Sequence, residues 1–234
     1  MIGIIGAMEE EVTILRDLIT NPKKFKLSHV EFIQGTLFGK KVVLVKSGIG
    51  KVNAAMTTTL LLEKFDVESV INTGSAGGIK AEAEIGDVVI SESVAYHDVD
   101  VTGFGYEMGQ VPGMPAVLRS DEGLLSKVER ALETTGARYF KGQVVTGDAF
   151  IQRPEQMEQI KVDFPEAVAL EMEAAAIAHV CHVREVPFVV VRALSDIAGK
   201  ESEISFEEFL PKAAEASSQM VCVLMKGLAE WCRS

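Results

Sequence analysis

Residues 170–196 read LEMEAAAIAHVCHVREVPFVVVRALSD, and this stretch decides the predicted fold. Two glutamates end a short apolar run, and the alanine-rich segment after it places Ala174 and Ile177 on one face of a helix. Pro187 prevents that helix from continuing, because proline lacks a backbone N–H and clashes with the preceding turn. Residues 188–191 are apolar, which is typical of a strand buried in a parallel sheet. The stretch therefore predicts a strand, a helix and a second strand of an α/β protein.

Charged side chains follow both strands of this unit. Glu171 and Glu173 end the first strand, and Arg192 and Asp196 lie at the end of the second. Open α/β sheets bind ligands at the carboxyl ends of their strands, so these groups predict a site that binds a polar ligand and moves protons. Glu171 alternates with Glu173 along an extended segment, so we expect Glu171 to face the other way and to serve a structural role.

Length and composition describe an ordinary globular chain. It has 234 residues, of which 47% are hydrophobic and 24% charged. That length is ample for one domain and short for two, and no internal repeat or linker is evident, so we expect a single domain over residues 1–234. The net charge of -11 argues against a nucleic-acid-binding or anionic-membrane surface.

The sequence also predicts a cellular location. Three glutamates follow the first strand where a secretory leader would be apolar, and no apolar run approaches the roughly 20 residues of a membrane span. Cys181, Cys222 and Cys232 are odd in number and form no CxxC pair, which favours reduced thiols over a disulfide framework. We therefore expect a cytoplasmic protein.

The amino-terminal part predicts a mixed sheet. Residues 2–5 form a first buried strand, and the helix after it opens with three consecutive glutamates. Acidic residues in a first turn favour the helix dipole, so all three can act as caps. Glu11 is the exception, because a strand-end turn directs it toward the ligand edge. Residues 31–37 and 41–45 form a predicted hairpin, which requires an antiparallel pair in the sheet.

Two further strand ends are rich in glycine. Residues 74–78 read GSAGG and residues 147–151 read GDAFI. Glycine lets the backbone approach a ligand and offer its N–H groups, although a merely tight connection is the alternative. Ser75 and Phe150 lie at the same predicted edge as Arg192 and three carboxylates, which are those of Glu11, Glu173 and Asp196. This combination predicts a functional pocket, in which carboxylates can serve as base, acid and hydroxyl anchor.

Three other chemistries are disfavoured by their spacing. Residues 47–51 resemble a phosphate loop, but Val45 and Val52 stand where a Walker-A loop has glycine and Ser or Thr. Ser75 lacks the G-x-S-x-G context and an evident base histidine of an acyl nucleophile. A metal site at His179 and His182 is also disfavoured, because no further ligand lies nearby in the sequence on the same helix face.

Seven segments, in order, carry a resemblance to a known family: IIGAMEEE (4–11), KSGIGKV (46–52), NTGSAGG (72–78), YHDVDVTGFGY (96–106), TGDAF (146–150), EMEA (171–174) and VRALSD (191–196). Together they closely resemble the bacterial 5′-methylthioadenosine/S-adenosylhomocysteine nucleosidases of the purine nucleoside phosphorylase superfamily. The likeness spans residues 2 to about 225 and implies a three-layer αβα sandwich with a mixed, mostly parallel central sheet.

The resemblance implies an activity that uses no metal or cofactor. The bond between adenine and ribose would be hydrolysed in methylthioadenosine, in S-adenosylhomocysteine and also in 5′-deoxyadenosine. By this likeness Asp196 protonates the purine N7, and Glu11 takes a proton from the attacking water with help from Arg192 and Ser75. The remaining residues implied to bind substrate are Ile49, Gly77, Phe150, Ile151, Met172, Glu173, Ser195 and Phe206.

The resemblance also implies a homodimer. The segment at 96–114 is long, polar and rich in glycine and proline, and loops of that length often serve function or cover a partner. By the likeness to the family, Val101, Phe104 and Pro112 reach into the pocket of the neighbouring subunit.

The residues disfavour three rival functions. Phosphorolysis requires cationic groups around a phosphate, but Asn72 takes the place of an arginine found in phosphate-using relatives, and several carboxylates would repel the anion. A nucleoside sensor without turnover would not need both Glu11 and Asp196. Hydrolysis of another 6-substituted purine nucleoside is disfavoured by an acid suited to adenine. Leu194, where the family often has isoleucine, leaves the chemistry unaffected.

Overall fold

The computed structural model of this chain describes residues 1–197 and 202–231, except for the side chains at 202–205 and 229–231. The strands are β1 (Ile2–Gly6), β2 (Thr20–Leu27), β3 (Val30–Leu37), β4 (Lys40–Lys46), β5 (Ser69–Gly78), β6 (Val88–Tyr96), β7 (Leu118–Arg119), β8 (Tyr139–Thr146), β9 (Ala167–Glu171) and β10 (Phe188–Ile197). The α-helices are α1 (Glu9–Leu18), α2 (Lys51–Lys64), α3 (Glu122–Thr135), α4 (Pro154–Asp163), α5 (Ala174–Val183) and α6 (Ser202–Trp231).

The strands form one mixed sheet. Its order is β10-β6-β8-β9-β5-β1-β4-β3-β2, with β7 beside β6. Because β10 also pairs with β5, the strands β5, β9, β8, β6 and β10 close into a small barrel, and β1, β4, β3 and β2 extend from β5. The long β10–β5 and β6–β8 pairings are parallel, whereas β2, β3 and β4 pair antiparallel. The predicted mixed sheet is confirmed.

Helices cover both faces of the sheet, as the α/β prediction requires. On one face α2 and α5 pack over a core that includes the fully buried Leu61 and Ile177. On the other face α1, α3 and α6 pack over a second core that includes Leu15 and Leu132, which are also fully buried. Within the described ranges, none of the helices combines the length and apolarity of a bilayer span.

The predicted hairpin is present as β3 and β4, with Leu37 paired to Lys40. The sequence did not predict β2, which adds a third strand at the open edge of the sheet. Asn21 and Pro22 fall within its Thr20–Lys23 irregularity, where the register shifts. Proline is tolerated there because an edge strand or a bulge does not need its missing N–H.

Three parallel strands bring the functional side chains together. β5 lies between β1 and β10, so the carboxyl ends of all three meet at one edge. Along β10, Arg192 is opposite Gly74 and Asp196 is opposite Gly77, with a register shift between Leu194 and Asp196. The shift leaves Ser195 as an extra residue, and a bulge of this kind redirects the side chains that follow it.

Candidate active site

The carboxyl edge of the sheet holds a cavity of about 240 Å³. It is lined by all twelve residues that the sequence placed in this chain's own pocket: Glu11, Ile49, Ser75, Gly77, Phe150, Ile151, Met172, Glu173, Arg192, Ser195, Asp196 and Phe206. Six lining residues were not predicted: Ala7, Met8, Ala76, Ala149, Leu170 and Glu171. Five of these are small or apolar residues that lie close in the chain to predicted ones, which is their only sequence signal, whereas Glu171 was expected to face away from the site.

Glu11 lies in the first turn of α1 and is fully buried. Its Oε2 accepts the backbone N–H groups of Ala7 at 2.7 Å and Met8 at 3.1 Å. Its Oε1 accepts the N–H and the hydroxyl of Ser75 at 2.9 and 3.0 Å. The carboxylate therefore caps the helix and also joins α1 to β5 at the cavity wall. Glu9, by contrast, is exposed and pairs with Lys46 at 2.9 Å.

Arg192 is almost completely buried and organises the polar side of the cavity. Its Nη2 donates to Asn72 Oδ1 at 2.8 Å, to Glu173 Oε2 at 3.3 Å and to Glu171 Oε2 at close range. Its Nη1 donates to the carbonyl oxygen of Ser75 at 3.1 Å. A buried guanidinium with these partners fixes two carboxylates and the end of β5 in one arrangement.

The expectation that Glu171 faces away from Glu173 is wrong, because both carboxylates contact Arg192. The alternation rule assumes a continuing strand, but β9 ends at Glu171 and Glu173 is already the N-cap residue of α5. The backbone turns between them. Glu171 Oε2 also accepts the N–H groups of Glu173 and Ala174, each at 2.8 Å, and so caps α5.

Of the two carboxylates that contact Arg192, Glu173 has a raised pKa. Its Oε1 accepts the backbone N–H of Gly50 at 2.9 Å. Burial and the charge of Glu171 raise its pKa to about 7, although Arg192 and Gly50 act in the opposite direction. At neutral pH this group is therefore divided between its protonated and charged forms.

Asp196 is buried beside the bulge of β10. Burial raises its pKa to about 6, and the hydrogen bond from Ser195 Oγ at 2.9 Å acts in the opposite direction. A carboxyl group with such a pKa retains a proton in part of the population near neutral pH, which suits a general acid.

Apolar side chains form the remaining wall of the cavity. Phe150 and Phe206 meet edge to face with ring centroids 5.6 Å apart, and 39% of Phe150 is exposed. Ile151 is buried, whereas Ile49 is half exposed at the start of α2. Flat apolar surface of this kind suits an aromatic base or an alkyl group, opposite carboxylates that suit hydroxyl groups.

The three residues assigned to a neighbouring subunit do not line this chain's own cavity. They lie in the loop after β6, where Thr102–Phe104 forms a short 3-10 helix. Val101 is the N-cap residue of that helix, Pro112 lies further along the same loop, and 84% of Phe104 is exposed. An exposed phenylalanine on an ordered turn is available for contact with another molecule.

Of the two histidines on α5, His179 has another partner. His179 Nδ1 lies 3.1 Å from the hydroxyl of Tyr96, and Cys181 is buried in the core. Among the described residues, no group of three His, Cys, Asp or Glu side chains has the arrangement of a metal site.

Comparisons with known proteins point to one family. The family model of the phosphorylase superfamily matches residues 1–226. A 5′-methylthioadenosine/S-adenosylhomocysteine nucleosidase of Lysinibacillus sphaericus is 56% identical over 221 residues, which are 94% of this chain and 96% of that protein. The protein of the same name from Bacillus subtilis is 53% identical over 226 residues, covering 96% and 98% of the two chains.

A solved structure agrees with these sequence relatives. The crystal structure of the 5′-methylthioadenosine/S-adenosylhomocysteine nucleosidase from Neisseria meningitidis, in complex with methylthio-immucillin-A, has a TM-score of 0.95 and 47% identity. The alignment covers 96% of this chain and 98% of that one. The chain therefore belongs to the phosphorylase superfamily and, within it, to the 5′-methylthioadenosine/S-adenosylhomocysteine nucleosidase family.

Proposed function

We propose that this chain hydrolyses the N-glycosidic bond of 5′-methylthioadenosine and S-adenosylhomocysteine. The products are adenine with methylthioribose or S-ribosylhomocysteine, and 5′-deoxyadenosine is a further substrate. The observation that carries the proposal is one cavity that contains a protonatable Asp196 together with a hydrogen-bonded Glu11. Such a pair supplies the acid and the base that glycosidic hydrolysis requires.

Asp196 acts first, as the general acid. Its raised pKa of about 6 keeps part of the enzyme protonated near neutral pH. Transfer of that proton to N7 of adenine lets the base depart as a neutral molecule, while the electrons of the glycosidic bond move to the purine. Proton transfer of this kind contributes roughly 10²–10⁴-fold in rate.

Glu173 binds the ribose hydroxyls during this step. Bond cleavage leaves positive charge on the sugar, as in other oxocarbenium-like transition states. A carboxylate held by Gly50 and Arg192 can accept hydrogen bonds from the hydroxyls and place negative charge beside the sugar. Met172, which follows Glu171 in the cavity wall, packs beneath the ring in this proposal.

Glu11 completes the reaction as the general base. It takes one proton from water, and the resulting hydroxide adds to the anomeric carbon. The Ser75 hydroxyl lies 3.0 Å from Glu11 Oε1, so it is placed to help hold the water. Arg192 supports the same position through the Ser75 carbonyl oxygen.

The apolar wall binds the rest of the substrate. In this proposal Phe150 stacks on adenine, the backbone of Ile151 binds its edge, and Gly77 lets the chain approach the base. Ile49 and Phe206 contact the thioalkyl group. Ser195 contributes indirectly, because its hydroxyl donates to Asp196 at 2.9 Å.

We also propose a homodimer in which Val101, Phe104 and Pro112 complete the neighbour's pocket. The high exposure of Phe104 and the half exposure of Ile49, at the mouth of the cavity, support this arrangement. A cytoplasmic location is proposed as well, because the described thiols Cys181 and Cys222 are free. Cys232 lies outside the described residues.

Adenine release tests the proposed function directly. Purified protein is incubated with methylthioadenosine or S-adenosylhomocysteine, with and without phosphate, and free adenine and the sugar product are quantified. We expect adenine release from each of the two thioethers, and for each of them we expect the same rate with and without phosphate. Turnover that depends on phosphate and yields a sugar phosphate would overturn hydrolysis, and tight binding without adenine release would indicate a sensor.

A further inference from the structure

Three charged residues beside the cavity form a closed ring of hydrogen bonds. The Lys51 ammonium donates to both carboxylate oxygens of Asp98, at 2.7 Å each. Asp98 Oδ2 accepts the backbone N–H of Asp148 at 2.9 Å, and Asp148 Oδ1 accepts the backbone N–H of Lys51 at 2.8 Å. The ring therefore joins the start of α2 to the loop after β6 and the loop after β8.

Lys51 is held by a second contact and is partly shielded from water. Its ammonium lies 5.5 Å from the ring centroid of Tyr96, whose hydroxyl donates to the carbonyl oxygen of Ala175 on α5. Only 23% of the Lys51 side chain and 28% of the Asp98 side chain are exposed. Burial acts to raise the pKa of Asp98, but the hydrogen bonds from Lys51 and from the Asp148 backbone hold it below its usual value. This ion pair is therefore better defined than an ordinary surface pair.

The ring is directly connected to the cavity. Gly50 is the N-cap residue of α2, and its N–H donates to Glu173 Oε1 at 2.9 Å. Ile49 precedes it, and Phe150 lies two residues after Asp148; both line the cavity. A ring that fixes α2 and the loop after β8 therefore also fixes one donor to Glu173 and two parts of the cavity wall.

We propose that Lys51, Asp98 and Asp148 are positioning residues of the nucleosidase reaction, which hold the Gly50 N–H on Glu173 and set the spacing of the Ile49 and Phe150 walls. The inference rests on the proposed function, in which Glu173 binds the ribose hydroxyls. A ring that served only folding would change stability and leave the pH dependence of turnover unaltered.

The pH dependence follows from the groups that face Glu173. Glu171 and Glu11 are acidic, Arg192 is cationic, and Gly50 contributes its N–H. Burial and Glu171 raise the pKa of Glu173, whereas Arg192 and Gly50 lower it. If Gly50 is held less firmly, its N–H no longer lowers the pKa of Glu173. That pKa then rises, and a larger fraction of Glu173 is protonated at neutral pH. The acidic limb of the rate profile should therefore move to higher pH.

Two substitutions of Asp148 test the proposal. In Asp148→Ala the acceptor for the Lys51 N–H is lost, and we expect kcat/KM for methylthioadenosine to fall by roughly 10–100-fold, with the acidic limb moved to higher pH. Asp148→Asn retains an oxygen acceptor at that place and should recover most of the rate and the wild-type pH profile. Both profiles are measured from pH 5 to pH 9 by adenine release.

Substitutions of Lys51 supply an independent test if Asp148→Ala does not fold. Lys51→Met keeps an apolar stem beside Tyr96 but removes the ammonium, and it should reproduce the loss of kcat/KM and the pH shift. Lys51→Arg should recover part of both. The control is Lys141→Met, because Lys141 pairs with Glu129 at 2.8 Å at a similarly exposed place and does not line the cavity.

Two outcomes separate this inference from the proposed function. Absence of adenine release by the wild-type protein would reject the proposed function itself. The positioning role alone would be rejected if the wild-type protein is active and the folded Asp148→Ala or Lys51→Met variant is too. That variant would have a kcat/KM within twofold of wild type and an unshifted pH profile.

Discussion

In its proposed role as general acid, Asp196 combines a catalytic advantage with a cost in stability. Burial raises its pKa from 3.8 to about 6. The folded protein therefore binds a proton between about pH 4 and pH 6 that the unfolded chain releases, so this group's contribution to stability is lost as pH rises through about 6. The same burial that keeps an acid available for the purine thus weakens the fold at neutral pH.

Asp196→Asn should separate these two effects. We expect kcat to fall by roughly 10²–10⁴-fold because the amide cannot supply the proton. The free energy of unfolding of Asp196→Asn minus that of wild type should be larger at pH 7.5 than at pH 4. For a pKa shift of this size, the increase is up to about 3 kcal/mol. Urea unfolding at both pH values measures it. The exposed Asp17→Asn serves as control, and equal pH slopes for wild type and Asp196→Asn would contradict the prediction.

Glu11→Gln should damage both turnover and folding. Each carboxylate oxygen accepts two hydrogen bonds, so the amide nitrogen of glutamine must face two buried donors. We expect kcat to fall by roughly 10²–10⁴-fold. The free energy of unfolding should fall by about 1–3 kcal/mol. Steady-state kinetics and urea unfolding measure the two effects, with the exposed neighbour Glu10→Gln as control. A Glu11→Gln enzyme with wild-type kcat would remove Glu11 from the role of base.

At the scale of elements, the end of β5 depends on a glycine. Gly74 has a φ of +146°, and a Cβ there would lie 2.5 Å from Glu11 Oε1 and 2.7 Å from Arg192 Nη1. No rotation of a methyl group relieves these contacts, so a side chain at this position displaces the two charged groups that organise the cavity. The junction between α1, β5 and β10 is therefore as much a part of the site as its carboxylates.

Gly74→Ala should lower kcat/KM by at least about tenfold, because misplacement of reacting groups by an ångström has effects of this size or larger. The matched control is Gly39→Ala, at a φ of +81° with no atom within 4 Å of the added methyl. Both variants incur backbone strain of about 1–3 kcal/mol, measurable by thermal unfolding. Only Gly74→Ala should lose activity, and equal activity in the two variants would contradict the prediction.

Element boundaries show where sequence patterns reach their limit. The Leu170–Asp196 pattern predicted β10 and α5 correctly because its apolar periodicity changes from helix to strand at Pro187. It failed for Glu171, since the alternation rule cannot detect the residue at which β9 stops. The bulge at Ser195 was also invisible, because it depends on pairing with β5, more than a hundred residues away in the chain.

At the scale of the whole molecule, the exposed Phe104 is the residue through which the proposed homodimer can be tested. The proposed homodimer has twice the 25.3 kDa mass of the chain. Phe104→Asp places a charge in the proposed contact and should weaken association by roughly 10–100-fold, as loss of an aromatic anchor does at other interfaces. Turnover should fall in parallel, because each pocket would lose a wall supplied by its neighbour.

Sedimentation velocity over a range of protein concentrations measures this association, and adenine release is recorded at the same concentrations. The control is Val162→Asp, which changes another exposed apolar residue, on α4. A Phe104→Asp protein that sediments and turns over like Val162→Asp would contradict the proposed arrangement.

The sequence by itself determined the secondary structure of the central unit and the α/β class, because periodicity is a local property. Its ordered motifs indicated the family, and the resemblance to that family implied twelve of the residues that line this chain's cavity. Tertiary structure alone decided that β5 and β10 pair to close a barrel, that Arg192 joins Glu171 to Glu173, and that Lys51 meets Asp98 and Asp148. These are contacts between distant segments, and the pKa shifts at Glu173 and Asp98 depend on burial, neighbouring charges and hydrogen bonds, which no local pattern encodes.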